Sequence, residues 1–154
     1  MRSLLPILNI GLNKKSWVSR SCDETISIGR EIGRNILPGT IFCLFGDLGA
    51  GKTTLIKGIV SGITGHSPQS VNSPTFVYLN IYSGEAPVFH FDLYRLETAE
   101  DFLSMGFEEM LFSEGICLIE WSERIASLLP RDVAKITIKE QEMGREITLS
   151  WTSE

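Results

Sequence analysis

The stretch Gly46-Asp47-Leu48-Gly49-Ala50-Gly51-Lys52-Thr53 places glycines, a lysine and a hydroxyl at the spacing GxxxxGK[ST]. That spacing suits a polyphosphate. Glycines let successive backbone N–H groups turn inward around phosphate oxygens, and a helix opening behind them adds its positive N-terminal end. In such a loop the lysine brings a point charge to the β- and γ-phosphates, and the threonine hydroxyl reaches Mg²⁺. The motif demands a strand before it and a helix after it. Thr40–Phe45 is apolar on both faces, as a central parallel strand is, and Lys52 to about Val60 follows as a helix. The reading is a nucleotide site, preferred over a glycine-rich turn with an incidental lysine.

A phosphate loop works with an acidic group at the end of a neighbouring strand, which holds or orients the metal and its waters. Two carboxylates emerge from apolar runs: Asp92 after Val88-Phe89-His90-Phe91, and Glu120 after Ile116-Cys117-Leu118-Ile119. A salt bridge or a helix cap is the plainer use of either, since an unpaired carboxylate is costly to bury. Asn72-Ser73-Pro74-Thr75-Phe76 carries hydroxyls that could reach a γ-phosphate or metal as switch loops do, although an ordinary Ser-Pro turn explains it as well. His90, Asp92 and Tyr94 share one face if that strand continues. A lone histidine is more often a satisfied structural residue than a catalytic base. No NKxD stretch reads guanine, no arginine-rich lid is evident, and Arg95 and Arg124 are the arginines near the acidic motifs.

The elements that must position these groups are legible from pattern. Ser21 and Glu24 make a capping box ahead of a helix carrying Ile28, Ile32 and Ile36, which Leu37-Pro38-Gly39 stops. Phe76–Tyr82 and Val88–Phe91, joined by Gly84 to Pro87, read as a hairpin. Thr98 caps a second helix, Ile116–Glu120 is a buried strand, Leu129-Pro130 ends a helical turn, and Val133–Ile138 and Glu146–Trp151 are late strands. This alternation predicts an α/β fold: a single P-loop NTPase-like domain, mainly a parallel central sheet with added antiparallel strands and flanking helices.

Composition narrows the function classes. With 154 residues the chain holds one domain with one core. A net charge of −5 argues against gripping nucleic acid through its phosphates. Cys22, Cys43 and Cys117 form no CxxC pair, and two lie in apolar runs; reduced thiols, not a disulfide framework or a zinc site, are expected, pointing to the cytoplasm. No segment is long and apolar enough to span a membrane. Residues 1–15, interrupted by Pro6, Asn9 and Gly11, read as an N-terminal extension, poorly ordered or a mis-assigned start, ahead of a domain over 16–154.

GDLGAGKTT, NSPTF, HFDLYRL, GFEEML and ICLIEWSER, in this order and spacing, resemble the bacterial TsaE family, also called YjeE, over roughly Ser21 to Trp151. The resemblance implies a small Mg²⁺-dependent P-loop ATPase of tRNA threonylcarbamoyladenosine biosynthesis. It would bind the TsaB–TsaD pair and use ATP hydrolysis to reset it between turnovers, without stable binding of tRNA itself. The alternative is an ATP-gated binding module of the same assembly, with incidental hydrolysis. By the same resemblance Gly49, Ala50, Gly51, Lys52, Thr53 and Thr54 hold the phosphates, and Thr53 and Glu120 hold Mg²⁺. Asp92 is the acid required for hydrolysis, with Lys52 and Glu120 beside it in the catalytic set. Thr75 belongs to a switch-like loop, Trp121 is an aromatic beside the site, and the segment near Ser21 lies close to the base. Ser122 stands where many members of the family have proline.

Overall fold

The computed structural model describes residues 13–47 and 49–151. Among these residues seven strands form one sheet: β1 (Lys14–Ser19), β2 (Ile41–Phe45), β3 (Leu79–Tyr82), β4 (Val88–Asp92), β5 (Ile116–Glu120), β6 (Ala134–Gln141) and β7 (Gly144–Ser150), in the order β1-β7-β6-β2-β5-β4-β3. The inner strands β6, β2, β5 and β4 are parallel, while β3 at one edge and β7–β1 at the other are antiparallel. The expected mainly parallel sheet with added antiparallel strands is what forms.

Two apolar layers cover the sheet, as buried parallel strands require. One face packs Phe42, Leu44, Leu118 and Ile136 under α1 (Cys22–Arg34) and α2 (Lys52–Thr64). The other packs Phe91, Cys117 and Ile119 under α3 (Ala99–Ser104), α4 (Glu108–Leu111) and the 3₁₀ turns of Ser122–Leu128. Phe91, Phe102 and Phe107 meet there with ring centroids 5.4–5.5 Å apart.

α1 begins as its capping box predicts, with Ser21 Oγ accepting from Glu24 N at 3.0 Å. Glu24 reaches one residue further back than the simple box, accepting from Arg20 N at 2.7 Å. α1 and α2 run in the same direction and touch backbone to backbone. A Cβ on Gly29 would lie 2.5 Å from the Leu55 carbonyl, and one on Gly58 would lie 2.3 Å from that of Ile26. Gly33 and Gly62 continue this seam of small residues one turn on.

Several boundaries differ from the sequence reading, three of them with a consequence for the sheet edges or the site. β1 begins at Lys14, inside the stretch set aside as an extension, and pairs with β7 from Lys14↔Ser150 to Ser19↔Arg145; residues 1–12 lie outside the described residues. The first strand of the hairpin begins at Leu79, not Phe76. The Pro74 carbonyl accepts from Val77 N and Tyr78 N, and Tyr78 takes a left-handed φ of 66°, so the chain turns before it pairs. β4 ends at Asp92, so His90 and Asp92 share a face while Tyr94 leaves it, its N–H turning back to Asp92 Oδ1 at 3.1 Å.

Candidate functional site

Parallel register brings the site together. Leu44 of β2 pairs with Glu120 of β5, and Glu120 pairs with Asp92 of β4. Both carboxylates therefore stand at the carboxyl ends of strands beside the loop that leaves β2, where ligands bind in open α/β sheets. Gly49 and Gly51 hold positive φ values of 80° and 105°, and Ala50 N closes the turn on the Asp47 carbonyl at 3.0 Å. Side chains other than glycine's resist that backbone, which is why small residues recur here. Gly51 is the N-cap of α2 with no side-chain cap, and Thr53 and Thr54 sit half-buried in its first turn.

Lys52 is folded back on its own loop. Its Nζ donates to the Gly46 carbonyl at 2.8 Å and lies 5.0 Å from the centre of the Trp121 ring. Trp121 in turn packs against Tyr94 at 5.0 Å, and its own backbone takes a left-handed φ of 61°. A non-glycine residue in that region stores strain, which here turns the chain from β5 into the 3₁₀ segment and sets the indole beside the lysine. Ser122, which follows Trp121, is buried.

The two acids have different partners. Asp92 Oδ2 accepts from Thr75 Oγ1 at 3.0 Å and from Ser73 Oγ at 3.3 Å, so the polar loop is tied to it. The same loop leaves Phe76 78 % and Val77 60 % exposed. Glu120 Oε2 lies 2.9 Å from His90 Nε2, with both side chains buried. Among the described residues no group of three or more His, Cys, Asp or Glu side chains is placed to hold a metal. One threonine hydroxyl and one carboxylate are instead the hard oxygen donors that suit Mg²⁺, which keeps most of its waters and takes further oxygens from phosphates.

Ser21 caps α1 and lines a cavity of about 420 Å³ with Arg20, Glu140 and Arg145. Arg145, which sequence reasoning passed over, also reaches the loop. Its guanidinium donates to the Gly49 carbonyl at 3.4 Å and would lie 2.9 Å from a Cβ on Gly51. Arg124 donates to the Tyr94 carbonyl and Arg95 lies over the Phe76 ring, so neither points at the loop. Another cavity, of about 300 Å³, opens around Gly39–Ile41 at the start of β2, away from these groups.

Cys43 and Cys117 are buried and Cys22 is exposed. Burial pushes the Cys117 thiol up to about 12, with the neighbouring Cys43 adding to it, and burial raises Cys43 as well. Both remain thiols and pack as small hydrophobes. Among the described residues no helix is long and apolar enough to cross a membrane.

The family model described as threonylcarbamoyl adenosine biosynthesis protein TsaE matches residues 19–147. The tRNA threonylcarbamoyladenosine biosynthesis protein TsaE of Treponema pallidum is 40% identical over 134 residues, covering 86% of this chain and 98% of that protein. The protein of the same name from Bacillus subtilis is 36% identical over 141 residues, covering 90% of this chain and 87% of its own. A crystal structure of Bacillus subtilis YdiB superposes with a TM-score of 0.73 at 31% identity, covering 91% of this chain and 86% of that one. The chain belongs to the TsaE family.

Proposed function

We propose that the chain is the Mg²⁺-dependent ATPase of cytoplasmic tRNA threonylcarbamoyladenosine biosynthesis. In this reading it docks on the TsaB–TsaD pair and resets it by hydrolysing ATP. The observation that carries the reading is the alignment of the GxxxxGK[ST] loop, Glu120 and Asp92 at the carboxyl ends of three adjacent parallel strands. The loop backbone from Gly49 to Thr54 takes the phosphates. Lys52 exchanges the Gly46 carbonyl for phosphate oxygens, which moves it away from Trp121. Thr53 Oγ1 and Glu120 would hold Mg²⁺, which would supply positive charge to offset that of the phosphates. Asp92 orients the attacking water once the hydroxyls of Ser73 and Thr75 release it. Ser21 and Arg145 line the cavity that takes the nucleoside end.

The exposed Phe76 and Val77, on the loop tied to Asp92, favour a second reading. A nucleotide that releases this loop rearranges an apolar surface, so ATP binding alone could gate docking. ATP turnover by the protein alone and with its TsaB–TsaD pair, with Lys52→Ala as control, tests the proposal. A rise with the pair, absent in the control, is expected. Turnover that the pair leaves unchanged, with nucleotide binding intact, would favour the gated module.

A further inference from the structure

His90 is the misfit of the buried face. It is wholly buried on β4, where Val88, Ile116 and Leu118 beside it on the same face are apolar, Asp92 and Glu120 follow toward the strand ends, and Asn80 of β3 pairs with it on the other side. An aliphatic side chain would fill the place without a desolvation cost, and a buried polar ring is unfavourable unless its hydrogen bonds are returned. Only one is. Nε2 meets Glu120 Oε2 at 2.9 Å, and Nδ1 is the buried side-chain atom that lacks a partner among the described residues. Donation from Nε2 to the carboxylate leaves Nδ1 as the ring's acceptor, so no buried N–H goes unmatched. The ring is therefore explained by what it does to Glu120.

We infer that His90 is a positioning residue for the metal-holding carboxylate. This rests on the proposed Mg²⁺–ATP site and deepens it. By committing Oε2, His90 fixes the rotation of the Glu120 carboxyl and leaves Oε1 as the oxygen offered at the end of β5. A single fixed oxygen suits an ion that demands near-octahedral geometry and keeps several waters. Partners of metal-holding groups act in this way, and losing one lowers metal affinity about 10- to 100-fold. The register supports the geometry. His90 pairs with Leu118, two residues before Glu120 on the adjacent strand and on the same face, so its ring approaches the carboxylate from the side away from the loop.

The test titrates Mg²⁺ against binding of a non-hydrolysable ATP analogue by calorimetry, with EDTA-treated protein as reference. His90→Leu keeps the volume and removes the donor. His90→Gln carries an N–H at a reach close to that of Nε2, whereas the shorter amide introduced by His90→Asn stops short of the carboxylate. The Mg²⁺ midpoint is expected to rise about 10- to 100-fold in His90→Leu and His90→Asn and to return toward the wild type in His90→Gln. Analogue affinity in EDTA should be the same in all. In a Glu120→Gln background His90→Leu should add nothing further.

Equal Mg²⁺ midpoints in wild type, His90→Gln and His90→Asn would overturn the inference, even if His90→Leu failed to fold. Parallel weakening with and without Mg²⁺ would overturn it too, because that is what a merely structural residue gives. Analogue binding by the wild type that ignores Mg²⁺ would instead bring down the metal site, and this inference with it.

Discussion

If the chain hydrolyses ATP as proposed, replacing Asp92 by asparagine is expected to separate binding from hydrolysis. The carboxylate is 6 % exposed and accepts three hydrogen bonds, from Tyr94 N at 3.1 Å, Thr75 Oγ1 at 3.0 Å and Ser73 Oγ at 3.3 Å. In Asp92→Asn the amide oxygen still accepts from Tyr94, and the amide nitrogen faces two hydroxyls free to rotate and accept from it. What is lost is charge, so each bond falls from the charge-assisted to the neutral scale, a change of about 1 kcal/mol per bond and about 2 kcal/mol in total once water compensates exposed Ser73. For a domain of this size that lowers Tm by about 4–8 °C. ATP binding should stay within about threefold, because Asp92 lies one strand beyond Glu120 from the loop and removing a negative charge does not repel phosphate. Turnover should fall about 10²- to 10⁴-fold, the range for a group that orients or deprotonates the nucleophile. Phosphate release under saturating Mg²⁺–ATP, calorimetric binding and a thermal melt on the same preparation measure all three. Turnover within about threefold of wild type would remove Asp92 from the mechanism. Loss of binding in proportion to turnover would reassign it to holding the nucleotide.

Gly58→Ala is expected to destabilise the protein although alanine is the better helix former. The added methyl would sit 2.3 Å from the Ile26 carbonyl, and parting α1 from α2 costs about 1–3 kcal/mol against a propensity gain of about 1; a raised Tm would show that the seam is loose. Cys117 makes stability fall at alkaline pH. Its folded thiol is pushed from the ordinary 9.0 to about 12, so between those values the unfolded chain binds fewer protons and the folded state loses up to about 1.4 kcal/mol per pH unit. Urea unfolding at about pH 8 and pH 10.5, on either side of the ordinary thiol value, should show a steeper loss of stability in the wild type than in Cys117→Ala. Equal slopes for both proteins would refute the assignment.

How much of the fold is legible in the sequence depends on how local the cause is. β5 is readable to the residue because an apolar run is bounded by Gly115 and a carboxylate, and the start of α1 because its cap is written within four residues, although the helix ends at Arg34, before Ile36. β3 is three residues shorter than its composition suggests. Phe76, Val77 and Tyr78 have the composition of a strand, but the Pro74 carbonyl captures the N–H groups of Val77 and Tyr78, and composition does not report that competition. β1 gives little signal because an edge strand paired only with β7 alternates exposed and half-buried residues without a strong apolar run. The GxxxxGK[ST] loop and both acids are visible as motifs. Their settings are not, since His90 and Glu120 are 30 residues apart and Arg145 and Gly49 are 96 apart. Only the sheet register joins such pairs.

The glycine seam has an electrostatic side. Because α1 and α2 run in the same direction in backbone contact, their positive ends, each equivalent to roughly half an elementary charge, are set side by side at Ser21 and Gly51. α1 answers its own end with Asp23 and Glu24 in the first turn; α2 has no acidic residue there and no side-chain cap. The fold thus carries one neutralised pole beside one bare pole and cannot relieve the repulsion by swinging the helices apart. An anion at Gly51 would complete the pair, so occupancy of the loop and resistance of the helical layer to unfolding should rise together.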